Sequence, residues 1–140
     1  MNVAALLQDP RFRLEQREAP PPEILQSFQS IAPRNLPRTY LRFLEGCDGA
    51  RGPAPFGSGA IDIWPVEEVL ERQAAIADLE GYFAFASDPA GQIFVFDLRP
   101  DDGATVCLVS SRDSRSPKVD VVSGSFSEFL QSFSRMSLGL

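Results

Sequence analysis

Four short apolar segments, separated by turn-forming residues, occupy the chain between residues 82 and 122. They lie at residues 82–87, 92–98, 105–110 and 119–122. Their apolar side chains alternate most clearly in the second segment, as expected for a strand. An Asp-Pro-Ala-Gly turn precedes this second segment, and an Asp-Asp-Gly turn at residues 101–103 follows it. Because consecutive strands joined by tight turns usually pair with each other, this stretch predicts an antiparallel meander.

Apolar residues recur at helical spacing on both sides of this meander. Before it, the pattern predicts helices over residues 23–31, 37–46 and 65–81, with a strand at residues 61–64. After it, Ser125 and Glu128 have the spacing of a capping box, and Phe129 and Phe133 lie on the apolar face of a last helix. The sequence therefore predicts a single α+β domain with a mainly antiparallel, twisted sheet flanked by helices.

Two segments show weaker patterns. Residues 1–19 form an arm in which Phe12 and Leu14 alternate with charged residues, so a short edge strand is possible. Three prolines at residues 20–22 follow, and we expect the arm to pack on a domain spanning residues 20–140. Residues 46–59 contain five glycines and two prolines and predict a long loop.

The chain has no histidine, which excludes a histidine general base, a Ser-His or Cys-His dyad and histidine metal ligands. Cys47 and Cys107 form no metal-binding or redox motif. We therefore expect no metal, no cofactor and no catalysis. The first residues lack the basic opening and long apolar run of a signal peptide, and no segment is long enough to span a membrane. These features predict a cytoplasmic protein.

The net charge of −6 argues against nucleic acid or an anionic membrane as a partner. The negative charge is concentrated between residues 45 and 102. This range contains twelve acidic and three basic residues, so its net charge is −9. The two flanks together therefore carry +3. An acidic middle favours a basic protein partner, although a simply solvated surface explains it equally well.

Seven residues in this acidic middle are candidates for partner binding. Alternation along the strand places Trp64 on the same side as Asp62, where a half-exposed tryptophan would anchor a partner. The full set is Asp48, Asp62, Trp64, Glu67, Glu68, Asp88 and Asp97.

Each candidate also has a structural interpretation. Trp64 can pack against a helix, and Glu67 and Glu68 can stabilise the helix dipole. Asp88 can accept turn amides, and Asp97 can pair with Arg99. A polar loop at residues 111–118, which includes two arginines, is the alternative contact surface.

Several short phrases occur in an order that resembles the SUKH superfamily. They are Leu36-Pro37 with Tyr40, Asp48-Gly49, Ile63-Trp64-Pro65, Glu67-Glu68-Val69, Ser87-Asp88, Phe96-Asp97-Leu98 and Phe126-x-x-Phe129-Leu130. One departure is Cys47-Asp48-Gly49, which stands where the family usually has Asn-Gly-Gly. The resemblance covers about three-quarters of the chain, from near Glu23 to Phe133.

This superfamily includes a fungal regulator of cell-wall synthesis and many bacterial immunity proteins that neutralise toxins of competing cells. The resemblance thus implies a cytoplasmic immunity protein that binds a toxin, with a regulatory or scaffold module as the alternative, and the acidic middle favours a basic toxin domain. It implies no catalytic residues. A small hydrolase would need Asp48 to pair with Asp88 or Asp97, and nothing in the sequence brings these carboxylates together.

Overall fold

The computed structural model describes residues 2–100, 104–110 and 118–135. The expected turn at residues 101–103 lies outside the described residues. So does most of the polar loop, including Arg112 and Arg115. Within the described part, seven strands form one sheet in the order β1-β2-β3-β4-β5-β6-β7, and every neighbouring pair is antiparallel. The predicted antiparallel meander and the α+β fold class are confirmed.

The strands are short. Their bounds are β1 Glu15–Gln16, β2 Ala50–Pro53, β3 Ala60–Ile63, β4 Tyr82–Ser87, β5 Ile93–Asp97, β6 Thr105–Val109 and β7 Val119–Ser123. The helices are α1 Val3–Gln8, α2 Pro22–Ile31, α3 Arg38–Gly46, α4 Val66–Val69 and α5 Phe126–Ser134, with a 3-10 helix at Glu71–Ile76. None of the described helices has both the length and the apolar character needed to cross a bilayer.

The start of α5 follows the predicted capping pattern with one change. The Ser125 hydroxyl accepts the N–H of Glu128 at 3.1 Å. The Glu128 carboxylate accepts the N–H of Gly124 at 3.2 Å, one residue before the N-cap. Both ends of the motif therefore use backbone donors that the helix itself leaves unpaired.

Two expectations about secondary structure, the loop at residues 46–59 and the helix at residues 65–81, were wrong. The predicted loop at residues 46–59 contains β2. Its Ala-Arg-Gly-Pro sequence has no strand-like alternation, so the sequence did not indicate a strand, and pairing with β1 and β3 holds the segment extended. The arm does contain a short edge strand, β1, and it also contains α1, which the sequence did not indicate and whose buried Val3 and Leu7 lie against α3. The helix predicted over residues 65–81 is only α4 and the 3-10 helix, where the side chain of Gln73 binds the backbone N–H and C=O of Ala84.

An aromatic core fills the space between the sheet and the helices α3 and α5. Phe85 and Phe96 stack with ring centroids 4.2 Å apart. Tyr40 of α3 and Phe126 of α5 contact both of these rings, mostly edge to face. Phe129 and Phe133 are buried in the same core, as predicted from their helical spacing. Arg51 of β2 and Asp62 of β3 lie on the opposite face of the sheet from this core.

Candidate functional site

A row of polar side chains crosses the sheet on the face opposite the aromatic core. The strand registers pair Glu15 with Arg51, Arg51 with Asp62, and Asp62 with Ser87. Directly opposed residues of antiparallel strands share a face, so these four side chains form one continuous polar row. Together with Asp88, Pro89 and neighbouring backbone they line a groove of about 420 Å³.

Arg17 binds Asp62, one of the residues that line this groove. Its guanidinium donates to the Asp62 carboxylate at 2.8 Å and to the backbone carbonyl of Ile63 at 3.0 Å. Its own backbone N–H donates to Gly49. The sequence did not indicate this residue, because its partners lie 45 and 46 positions away and no local pattern joins them.

The Asp48-Gly49 phrase has a clear structural role. The Asp48 carboxylate accepts the N–H of Val66 at 2.7 Å, and it thereby caps α4, where the preceding Pro65 offers no side-chain cap. Gly49 has a φ of 82°, and a Cβ there would collide with the carbonyl of Ile63. The turn therefore needs glycine, and it brings Asp48 beside the first turn of α4.

Glu67 and Glu68 occupy that first turn. Glu67 is exposed, whereas Glu68 pairs with Arg72 at 3.5 Å, one helical turn later. Their position fits the expected stabilisation of the helix dipole and also leaves their charge accessible to a partner. We call Asp48, Asp62, Glu67 and Glu68 the acidic patch. Arg17 binds Asp62 and Arg72 pairs with Glu68, so the four carboxylates and these two guanidinium groups carry a net charge of −2, without Arg51, which lies opposite Asp62 in the sheet.

Of the two interpretations of Trp64, packing inside the protein is correct and the half-exposed anchor is wrong. Alternation does direct its side chain to the Asp62 face, because the indole N–H donates to Ser87 at 3.0 Å. The residue is nevertheless only 1% exposed, and the Arg72 guanidinium lies 5.0 Å from the ring centroid. Arg72, in the 3-10 helix after β3, lies over the indole, and Trp64 packs inside the molecule.

Asp88 is also largely withdrawn from solvent. It is 7% exposed, and its carboxylate accepts the N–H groups of Ser58, Ala90 and Gln92 at 2.8–3.1 Å. These bonds tie the loop before β3 to the turn between β4 and β5. This is the turn role that the sequence also allowed for Asp88.

Asp97 lies away from the other candidates. It pairs with Tyr82 at one end of β4, while Ser87 and Asp88 lie at the other end, about 16 Å along the strand. Arg99 binds its carboxylate through two nitrogens, at 2.9 and 2.8 Å. This pairing keeps the pKa of Asp97 below its ordinary value, chiefly through the hydrogen bonds from Arg99. The interpretation of Asp97 as a partner of Arg99 is therefore correct.

The described side chains offer little for covalent or metal chemistry. Burial raises the pKa of the Cys47 thiol to about 12 and also raises that of Cys107, so both stay protonated at neutral pH. In the described ranges, no three Cys, Asp or Glu side chains are placed to share a metal ion. The carboxylates of Asp48, Asp88 and Asp97 are each bound by different backbone or arginine donors. The site is therefore an anionic surface on a backbone that hydrogen bonds from Asp48 and Arg17 hold in place.

The family model described as the SMI1/KNR4 family (SUKH-1) matches residues 19–132. This range includes the sheet from β2 to β7, the acidic patch and nearly all of α5, and it excludes α1, β1 and Arg17. No curated protein shows a significant sequence match to this chain.

Proposed function

We propose, because this chain belongs to the SMI1/KNR4 family (SUKH-1), that it is a cytoplasmic immunity protein which binds and neutralises a cognate toxin of a bacterial competition system. Membership of this family supports a protein-binding function of the immunity or regulatory kind. The toxin is the more specific part of the proposal. We expect the toxin to have a basic surface, which the acidic patch would attract.

The observation that carries the proposal is the acidic patch itself. Asp48 accepts the backbone N–H of Val66 and Asp62 pairs with Arg17, so these two carboxylates are held in place between β3 and α4, and Glu67 and Glu68 lie in the first turn of α4. A preorganised anionic surface loses little conformational entropy when it binds. Charge complementarity would speed association and select basic partners, and salt would weaken this effect.

The test uses the C-terminal domain of the protein encoded immediately upstream, which the proposal expects to be the toxin. Co-expression with this protein should restore growth, and the purified pair should form a complex with a measurable Kd. Failure of both rescue and complex formation would contradict the immunity function. A stable complex with a protein of the same cell, without rescue, would favour the regulatory or scaffold alternative.

Charge reversal locates the contact. The double variant Glu67→Lys/Glu68→Lys should slow association at low salt by about tenfold or more, and should reduce the salt dependence of the rate. The matched control is Glu23→Lys/Glu45→Lys, which changes net charge equally at exposed positions of α2 and α3. Equal slowing by both double variants would indicate a general charge effect and would move the interface away from the acidic patch.

A further inference from the structure

Arg51 differs from the other two arginines of the acidic middle, because no described carboxylate binds it. Arg72 pairs with Glu68 at 3.5 Å. Arg99 pairs with Asp97 at 2.8 Å. The Arg51 guanidinium makes neither a hydrogen bond nor an ion pair with any residue of the described ranges. Its positive charge is therefore available to a group of another molecule.

The two neighbours of Arg51 across the sheet are both acidic. Glu15 of β1 lies directly opposite Arg51 on one side, and Asp62 of β3 lies opposite it on the other. Side chains opposed in this way have Cβ atoms about 5 Å apart. Asp62 is held by Arg17, at 2.8 Å, and neither carboxylate pairs with Arg51. The polar row thus contains an unpaired cation between two carboxylates.

The groove that Arg51 lines is continuous with the acidic patch. Asp62 lines the same groove of about 420 Å³ and is also a member of the patch. Asp88 fixes another part of the groove lining, since its carboxylate accepts three backbone N–H groups. Because Arg51 and Asp62 are direct cross-strand neighbours, a partner that covers Asp62 also covers Arg51.

Covering Arg51 removes water from its guanidinium. A charged group that loses its water without gaining a partner costs free energy, and a lysine or arginine of the partner at this point would add repulsion. A carboxylate compensates this cost best, because it can accept two parallel N–H bonds from the planar guanidinium. The unpaired state of Arg51 therefore favours a partner with a carboxylate at this point.

We propose that Arg51 is a specificity-determining residue of the toxin interface and binds a side-chain carboxylate of the toxin in this groove. The inference rests on the proposed function and adds one feature to the expected partner. The toxin surface is basic where it meets Glu67 and Glu68, and it carries an aspartate or glutamate where it meets β2. A basic toxin without this acidic group leaves Arg51 covered and unpaired, so Arg51 selects against it.

The test measures the binding kinetics of Arg51→Ala with the C-terminal domain of the protein encoded immediately upstream. Removal of Arg51 makes the surface more negative, so general attraction to a basic domain predicts faster association and tighter binding. The proposal predicts the opposite change in affinity. Dissociation should be at least about tenfold faster, because the toxin carboxylate then faces Glu15 and Asp62 without a cation. Arg51→Lys keeps the charge but loses the two parallel bonds, and it should give an intermediate rate.

Arg42→Ala is the matched control. Arg42 is an exposed arginine of α3, the helix that packs on the aromatic-core side of the sheet, and its loss changes the net charge equally. This variant should leave the dissociation rate unchanged. Single Asp→Asn and Glu→Gln changes across the toxin domain should then identify one carboxylate whose effect disappears in the Arg51→Ala background, as expected for a directly interacting pair.

The outcomes separate this inference from the proposed function. If Arg51→Ala binds as tightly as the parent or more tightly, while charge reversal at Glu67 and Glu68 still slows association, the Arg51 contact is overturned and the immunity function stands. Equal effects of Arg42→Ala, or the absence of any toxin carboxylate coupled to Arg51, would also overturn the contact. If the parent neither rescues growth nor forms a complex, the proposed function fails and this inference fails with it. Melting curves check folding, and Arg51→Lys replaces the alanine variant in these comparisons if the latter is unfolded.

Discussion

The Arg17 guanidinium and the Asp62 carboxylate form an ion pair of 2.8 Å that joins the N-terminal segment to β3. The same guanidinium also donates to the carbonyl of Ile63. Arg17 precedes residues 19–132, which the family model matches, so family membership alone does not supply this contact. It neutralises part of the acidic patch and helps to hold the arm in place.

Replacement of Arg17 by alanine should lower the free energy of unfolding by about 1 kcal/mol, since the pair is partly exposed and the bond to Ile63 is also lost. Urea unfolding at neutral pH measures this change. Arg13→Ala, an exposed arginine of the same segment, is the control and should change stability by less. Equal losses for both variants would show that the contact with Asp62 contributes little.

If the acidic patch binds a basic toxin, Arg17→Ala should also speed association, because the net charge of the patch changes from −2 to −3.

Trp64 should behave as a buried reporter of folding. It is the only tryptophan, so its emission should be blue-shifted and poorly quenched by acrylamide in the native protein, and both properties should disappear in urea. Trp64→Phe removes the indole N–H that Ser87 accepts and should cost about 1–3 kcal/mol. Tyr82→Phe, at a partly buried ring on the same sheet, provides a control for loss of a polar group. Strong quenching of the native protein would contradict the burial of Trp64.

The Asp97–Arg99 pair should make stability depend on acid pH. The carboxylate has a lower pKa in the folded protein than its ordinary value of 3.8, so it stabilises the fold fully at pH values above that value. This contribution is lost as the pH falls through the lowered folded-state pKa. The stability difference between the parent and Asp97→Asn should therefore be constant near neutral pH and shrink below about pH 4. Asp120→Asn, whose carboxylate is 3.9 Å from Lys118 on the exposed β7, is the control and should change stability at neutral pH by less than Asp97→Asn.

Phe129→Ala should destabilise the protein by about 3–5 kcal/mol, because the ring is fully buried and packs against Phe85, Phe94 and Phe126. Thermal or urea unfolding checks this. Gln131→Ala on the outer side of α5 is the control, and its effect should be within about 0.5 kcal/mol. A Phe129→Ala variant as stable as the parent would mean that α5 is not docked on the sheet.

Local patterns in the sequence were sufficient for the main elements of the fold. Strands β4, β5, β6 and β7 follow from apolar segments between turns, and α5 follows from its capping residues and the spacing of Phe129 and Phe133. These signals are local, because alternation, turn residues and caps act within a few positions of the chain. The same local signals predicted that Trp64, just after β3, would point to the Asp62 face, and they offered Arg99 as one of two interpretations of Asp97.

Tertiary structure decided the features that depend on distant partners. β2 forms because β1 and β3 supply hydrogen bonds on both sides of a segment with weak strand propensity. Arg17 enters the site through contacts 45 and 46 residues away. The exposure of Trp64 depended on whether the chain after β3 folds back over it, and alternation along one strand carries no information about what covers a face. Composition and local pattern thus determined the elements and the acidic middle, whereas long-range packing decided which of its charged residues form a surface.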